Sequence, residues 1–144
     1  MHPYPHVYQV SADATNEGDV RLGSADLTTL PSMPPPEFGG PPGYWSPETL
    51  LAAAVADCFV LSFRAVARAS KFEWTRVSAE VDAVLDRVDG VAHFIRFTTR
   101  AHLVIPAGGD AARARVLMEK AEKVCLISNS LKGERHLESE VVEG

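Results

Sequence analysis

The stretch "SPETLLAAAVADCFVLSFRAVARA", residues 46–69, limits what this chain can fold into more than any other part of it. Its start is well marked. Ser46 suits an N-cap, Pro47 the first helical position, and Glu48 the positive end of the helix dipole. The pattern predicts a helix running from there to about Ala69. Its polar residues Asp57, Arg64 and Arg68 fall on one narrow stripe, and the rest of the segment from Leu50 to Phe63 is apolar or small. A helix apolar around most of its circumference must be covered around most of it. In a chain of 144 residues, that much cover points beyond the chain's own sheets to another surface, such as a second subunit.

The remaining segments supply sheets. "VYQVSADA" and "VRLGSADLTTL" read as two strands joined by a turn at "NEGD". Residues 31–47, "PSMPPPEFGGPPGYWSP", hold seven prolines and three glycines and are expected to belong to no helix or sheet. A loop this long and aromatic is usually functional, and Phe38, Tyr44 or Trp45 is expected to line a route to the site. After the helix comes a hairpin. Val77, Ala79, Val81, Ala83 and Leu85 alternate with Ser78, Glu80, Asp82 and Val84, "RVDGV" turns the chain, and the return strand runs through Phe94–Leu103. A second helix is expected from Asp110 as N-cap to about Cys125, and a last strand over roughly residues 135–142. This order gives one α+β domain over residues 1–144.

Composition excludes several function classes. A net charge of −5 with scattered basic residues argues against nucleic acid or an anionic membrane as partner. The chain opens without the shape of a signal peptide, and Asp57 and Arg64 break the apolar run, so the protein is expected to be cytoplasmic and not membrane-spanning. The five histidines have no metal spacing with each other or with a cysteine, and no glycine-rich phosphate loop is present, so neither metal nor cofactor is expected.

Two cysteines remain as candidates, Cys58 and Cys125. Each could be a small hydrophobe in a core, since free cysteine is among the most buried residue types. Burial raises a thiol's pKa, and Cys58 sits mid-helix without help from a dipole, so a reactive Cys58 is expected to need a cation from elsewhere in the chain. Cys125 stands near the end of its helix, where the dipole disfavours a thiolate, which suits a resolving thiol better than an attacking one. Two cysteines are the minimum for a cycle in which one is oxidised and the other resolves it. Glu48 is explained by capping alone unless its carboxylate holds an arginine, for which Arg21 is the candidate.

Together these residues resemble the OsmC/Ohr family, the osmotically inducible protein C and organic hydroperoxide resistance proteins, from about Tyr8 onward. "SPETLLAAAVADCF" is similar to the family's N-P-E-x-L-x-A-A-x-x-A-C-F motif, and "AEKVCLISNSL" to its A-x-x-x-C-P-x-S-x-x-L. Glu48 and Cys58 stand ten positions apart, as the family's glutamate and first cysteine do. The resemblance implies two long central helices wrapped by antiparallel sheets in an intertwined homodimer. It implies a thiol peroxidase in which Cys58 attacks an organic hydroperoxide and its sulfenic acid condenses with Cys125 to an intrachain disulfide. Glu48 would orient Arg21, which would support the Cys58 thiolate. The reductant would be a dithiol, of lipoyl type in preference to thioredoxin. Leu126 departs from the family pattern, which has proline after the second cysteine. Two rival readings are a thiol redox sensor, or stress-protective dimer, without useful turnover, and a carrier for a hydrophobic ligand with both cysteines as packing.

Overall fold

A computed structural model describes the whole chain, Met1–Gly144. It is an α+β protein whose chain divides into two compact units, Met1–Leu50 and Leu51–Gly144. The first unit is a small antiparallel sheet of β1 (Ser11–Asp13), β2 (Val20–Gly23) and β3 (Leu30–Ser32), with β2 in the middle. The second expected strand is therefore two strands, broken by a turn in which Asp26 takes a positive φ of 62°. The proline-rich segment is more ordered than its composition suggests. Pro31 fits because β3 is an edge strand, where a missing donor costs no ladder bond. Pro36–Phe38 form one turn of 3-10 helix, and Met33 N–H bonds the Trp45 carbonyl at 3.0 Å. Gly40 is required there, since a Cβ would stand 1.7 Å from the Pro34 carbonyl oxygen.

The long helix forms where its residues place it, as α1 (Pro47–Ala69), and is capped as expected. The Ser46 hydroxyl accepts from Thr49 N–H at 3.1 Å, and the Thr49 hydroxyl accepts in return from Ser46 N–H at 2.8 Å. In the second unit β4 (Arg76–Val88) and β5 (Val91–Ile105) form the hairpin. Its turn uses Asp89 and Gly90, both at positive φ, as a two-residue connection between twisted strands demands. Next come α2 (Ala111–Val124), capped by the Asp110 carboxylate on Arg113 N–H at 2.9 Å, the short α3 (Leu126–Asn129), and β6 (Glu134–Glu143).

Two expectations about this sheet need correcting. β6 joins β5 in parallel, so the second sheet is mixed, whereas antiparallel sheets were expected throughout. The crossover through α2 and α3 carries the chain back to the end where β5 began, which makes a parallel pairing the natural one. Leu85 is the second. The register shifts between Val84 and Leu85, with Leu85 facing Phe94 and Ile95 of β5 left as the extra residue; Leu85 there is exposed and Val84 half-buried, the reverse of the expected alternation.

The core of this unit lies between the sheet's inner face and the two helices. Phe59, Phe63, Val66 and Ala67 of α1 meet Ala101, Leu103 and Ile105 of β5 and Ala114, Leu117, Met118 and Ala121 of α2. Burying the two phenylalanines fully contributes about 2–3 kcal/mol each. By length and composition α1 could cross a bilayer, contrary to the expectation that its charges cut it too short. Its seat in this core identifies it as a core helix. Only five of its 23 residues are buried, and Leu61 remains 52% exposed.

Candidate active site

Cys58 opens onto a surface cavity of about 440 Å³. α1 contributes Ala54, Asp57, Leu61 and Ser62 around it, and α3 contributes Leu126 and Ile127. The Ser62 hydroxyl, one turn along the same helix face, lies 3.8 Å from the sulfur. Burial pushes the Cys58 thiol up. The backbone amide of Ile127, the Cys125 side chain, the Ser62 hydroxyl and the backbone amide of Leu126 pull it down, and they prevail, leaving it below its ordinary value of 9.0. The sequence argument held that a mid-helix thiol must borrow a cation. Here neutral groups lower it instead, the Ile127 and Leu126 amides of the turn after Cys125 among them.

Cys125 lies beside Cys58 in a different setting. It is fully buried, and its thiol donates to the Ser128 hydroxyl at 3.5 Å. Burial pushes it above its ordinary value, and the nearby Cys58 adds to that. The helix end was expected to weaken its acidity, but Cys125 closes α2 and opens α3 at once, so burial is the first cause. Both thiols are free.

A side chain that the sequence did not flag holds this turn in place. Arg135 of β6 donates through Nε to Glu122 Oε1 at 2.9 Å, through Nη1 to Asn129 Oδ1 at 2.7 Å, and through Nη2 to the Glu122 carbonyl. Glu122 precedes Cys125 by three residues and Asn129 follows it by four, so one guanidinium ties both sides of the cysteine to the sheet. Its partners belong to two other elements, thirteen and six residues earlier in the chain, and no local pattern announces the contact.

Glu48 and Arg21 belong to the first unit. Glu48 lines an apolar hollow of about 540 Å³ with Val20, Leu22, Met33, Phe38 and Leu50. Its Oε1 is buried and accepts no hydrogen bond. Arg21 is not the donor. Val20 and Leu22 face the hollow, so the alternation of β2 carries Arg21 to the opposite side, where it is exposed and makes no ion pair. Of the loop aromatics, Phe38 lines this hollow, while Tyr44 and Trp45 do not. The structure thus brings Cys58 and Cys125 together, and within the first unit Arg21 does not pair with Glu48.

Residues 40–140 match the family model of OsmC-like proteins. The chain is 29% identical to peroxiredoxin OsmC of Escherichia coli over 82% of its own length and 86% of that protein's. It is 30% identical to the organic hydroperoxide resistance protein of Xanthomonas axonopodis pv. citri, covering 91% of this chain and 92% of the relative. Among solved structures, an organic hydroperoxide resistance protein OsmC from Legionella pneumophila superimposes with a TM-score of 0.76 at 28% identity, over 96% of this chain and 98% of that one.

Proposed function

The chain belongs to the OsmC-like family, and from that premise we propose that it is a cysteine-dependent peroxidase that reduces organic hydroperoxides. The observation that carries the reading is the unequal pair of neighbouring free thiols: Cys58, made more acidic and open to a cavity, and Cys125, made less acidic and sealed from solvent. The relatives named peroxiredoxin and organic hydroperoxide resistance protein support the same chemistry.

The Cys58 thiolate attacks the distal oxygen of R–O–O–H. An S–O bond forms, the O–O bond breaks, and the alkoxide takes a proton to leave as R–OH. Cys58 is then a sulfenic acid, two electrons oxidised. The Cys125 sulfur displaces its hydroxyl, forming the Cys58–Cys125 disulfide and releasing water, with the Cys125 proton accounted for in that water. A dithiol, of lipoyl type, returns both thiols by exchange and leaves as its own disulfide. An attacking thiol needs acidity and access, whereas a resolving thiol must wait without reacting. The two environments divide these needs accordingly.

A homodimer completes the site in this reading. The exposed apolar face of α1 calls for cover, and the unsatisfied Glu48 carboxylate calls for a donor. Arg21, exposed and unpaired on one copy, is available to Glu48 of another. The two units act as a single domain over residues 1–144, in a soluble, cytoplasmic protein.

The test is a free-thiol titration of the reduced protein before and after about one equivalent of an alkyl hydroperoxide. The expected outcome is loss of both thiols per chain without crosslinked dimers on a non-reducing gel. Cys58→Ser should consume no peroxide, and Cys125→Ser should stop at a trappable sulfenic acid. Survival of both thiols in the unmodified protein would overturn the proposal. Disulfide formation without repeated turnover on a lipoyl dithiol would turn it toward a redox sensor.

A further inference from the structure

Asp57 lines the same cavity as Cys58, and the chemistry above gives it no task. Apart from the thiol and the Ser62 hydroxyl, the rest of the cavity wall is apolar, built from alanines of α1 with Leu61, Leu126 and Ile127. Asp57 and Cys58 are consecutive on α1, so their side chains leave the helix about 100° apart. Leu61 stands over the first as Ser62 stands over the second. The carboxylate is exposed and has neither an ion pair nor a hydrogen bond to a neighbour, so nothing in the wall cancels its charge. Arg64 and Arg68 follow on the same stripe, but helical rise puts them about 10 and 16 Å further along the axis. Neither lines the cavity, and at physiological salt a charge is screened over about 8 Å.

We propose that Asp57 sets the charge selectivity of the cavity: Cys58 takes neutral hydroperoxides and turns away those that carry a carboxylate near the reacting end. The proposal rests on the peroxidase reading of Cys58 for its substrates, but the selection itself acts on any molecule that approaches the sulfur. An apolar wall favours an alkyl chain, and an anion entering it must shed water while facing an uncancelled carboxylate. The thiolate repels an anion as well, but its charge moves to the departing oxygen during the reaction. The charge of Asp57 stays.

Two matched pairs of reagents test this on the purified full chain. The first is iodoacetamide and iodoacetate, which differ in charge and alkylate without peroxide chemistry, used on Cys125→Ser so that Cys58 is the one thiol present. The second is a carboxylic-acid-bearing alkyl hydroperoxide and its methyl ester, used on the protein with both cysteines. Asp57→Asn should raise the rate with the anionic member of each pair roughly three- to tenfold and change the neutral member by less than about twofold. Asp57→Glu, which keeps the charge, should keep the discrimination. The gap between members should narrow from low to high salt in the unmodified protein and less so in Asp57→Asn. An equal change with both members, or no change with the anionic one, would overturn the proposal. Should neither hydroperoxide be consumed while the alkylating pair splits as described, the peroxidase reading falls and the charge selection stands.

Discussion

Cys58 and Cys125 are neighbours in the fold and differ in almost everything that governs a thiol. Cys58 is partly accessible on the flank of a long helix, and hydrogen-bond donors from α1 and α3 hold it below the ordinary thiol value. Cys125 is sealed at the junction of two helices, and burial holds it above that value. The difference teaches that burial and neutral hydrogen-bond partners alone can set two neighbouring thiols apart. Neutral partners lower the one thiol and burial raises the other, and that contrast decides which ionises first.

The sharpest way to break this asymmetry is to release the turn that creates it. Arg135→Leu frees Asn129 and leaves Glu122, 15% exposed beside an Arg135 that is 28% exposed, without its cation. Removing one member of such a pair is expected to cost about 3 kcal/mol, roughly 10 °C of melting temperature for a chain of this size. Closure of the disulfide after Cys58 oxidation should slow by about tenfold or more as Cys125 loses its position. Stopped-flow trapping of the sulfenic acid measures that step apart from stability. Arg135→Lys keeps the charge but loses the fork, and it should fall between the two.

A finer intervention touches only one donor. The Leu126 backbone amide is among the groups that lower the Cys58 thiol, and proline at that position has no N–H. Leu126 is the first residue of α3, where proline is tolerated. Leu126→Pro should therefore fold, shift the pH midpoint of Cys58 alkylation upward, and lower the alkylation rate at neutral pH roughly fivefold, the equivalent of one hydrogen bond of about 1 kcal/mol. An unchanged midpoint would mean that the Ile127 amide and the side chains carry the thiolate without it.

The sequence made the elements legible where local rules act alone. Ser46 and Asp110 cap the helices they were expected to cap, and Asp89-Gly90 turns the hairpin, because capping and turn chemistry are decided within a few residues. Period-2 alternation does not register the shift at Val84/Leu85, past which Leu85 is exposed and Val84 half-buried. The direction of β6 depends on where the crossover ends and carries no signature within the strand. At the site, motif spacing picks out both cysteines, but two of the groups that lower Cys58 are main-chain amides, and a backbone N–H has no letter in a sequence. Arg21 illustrates the converse limit. Its residue type is suitable, yet strand alternation points it away from Glu48 within the chain.

The smallest effect separates the two thiols through stability alone. A thiol whose folded value lies below its unfolded one favours the folded state as pH rises, while a raised one does the opposite. For Cys58 the gain begins as pH climbs through its lowered folded value and is complete above the ordinary 9.0. It is lost again as pH falls through the folded value. For Cys125 the folded state keeps its proton longer than the unfolded chain, so stability declines as pH rises from 9.0 toward the raised folded value. Denaturant midpoints of the reduced protein and of the two single serine variants, taken from neutral pH to above 9.0, should therefore diverge in opposite directions. Relative to Cys58→Ser the unmodified protein should gain with pH, mainly below 9.0, and relative to Cys125→Ser it should lose, mainly above it. Parallel curves for all three would mean that the environments do not distinguish the thiols in the folded state, and the order of attack and resolution would then have to come from access alone.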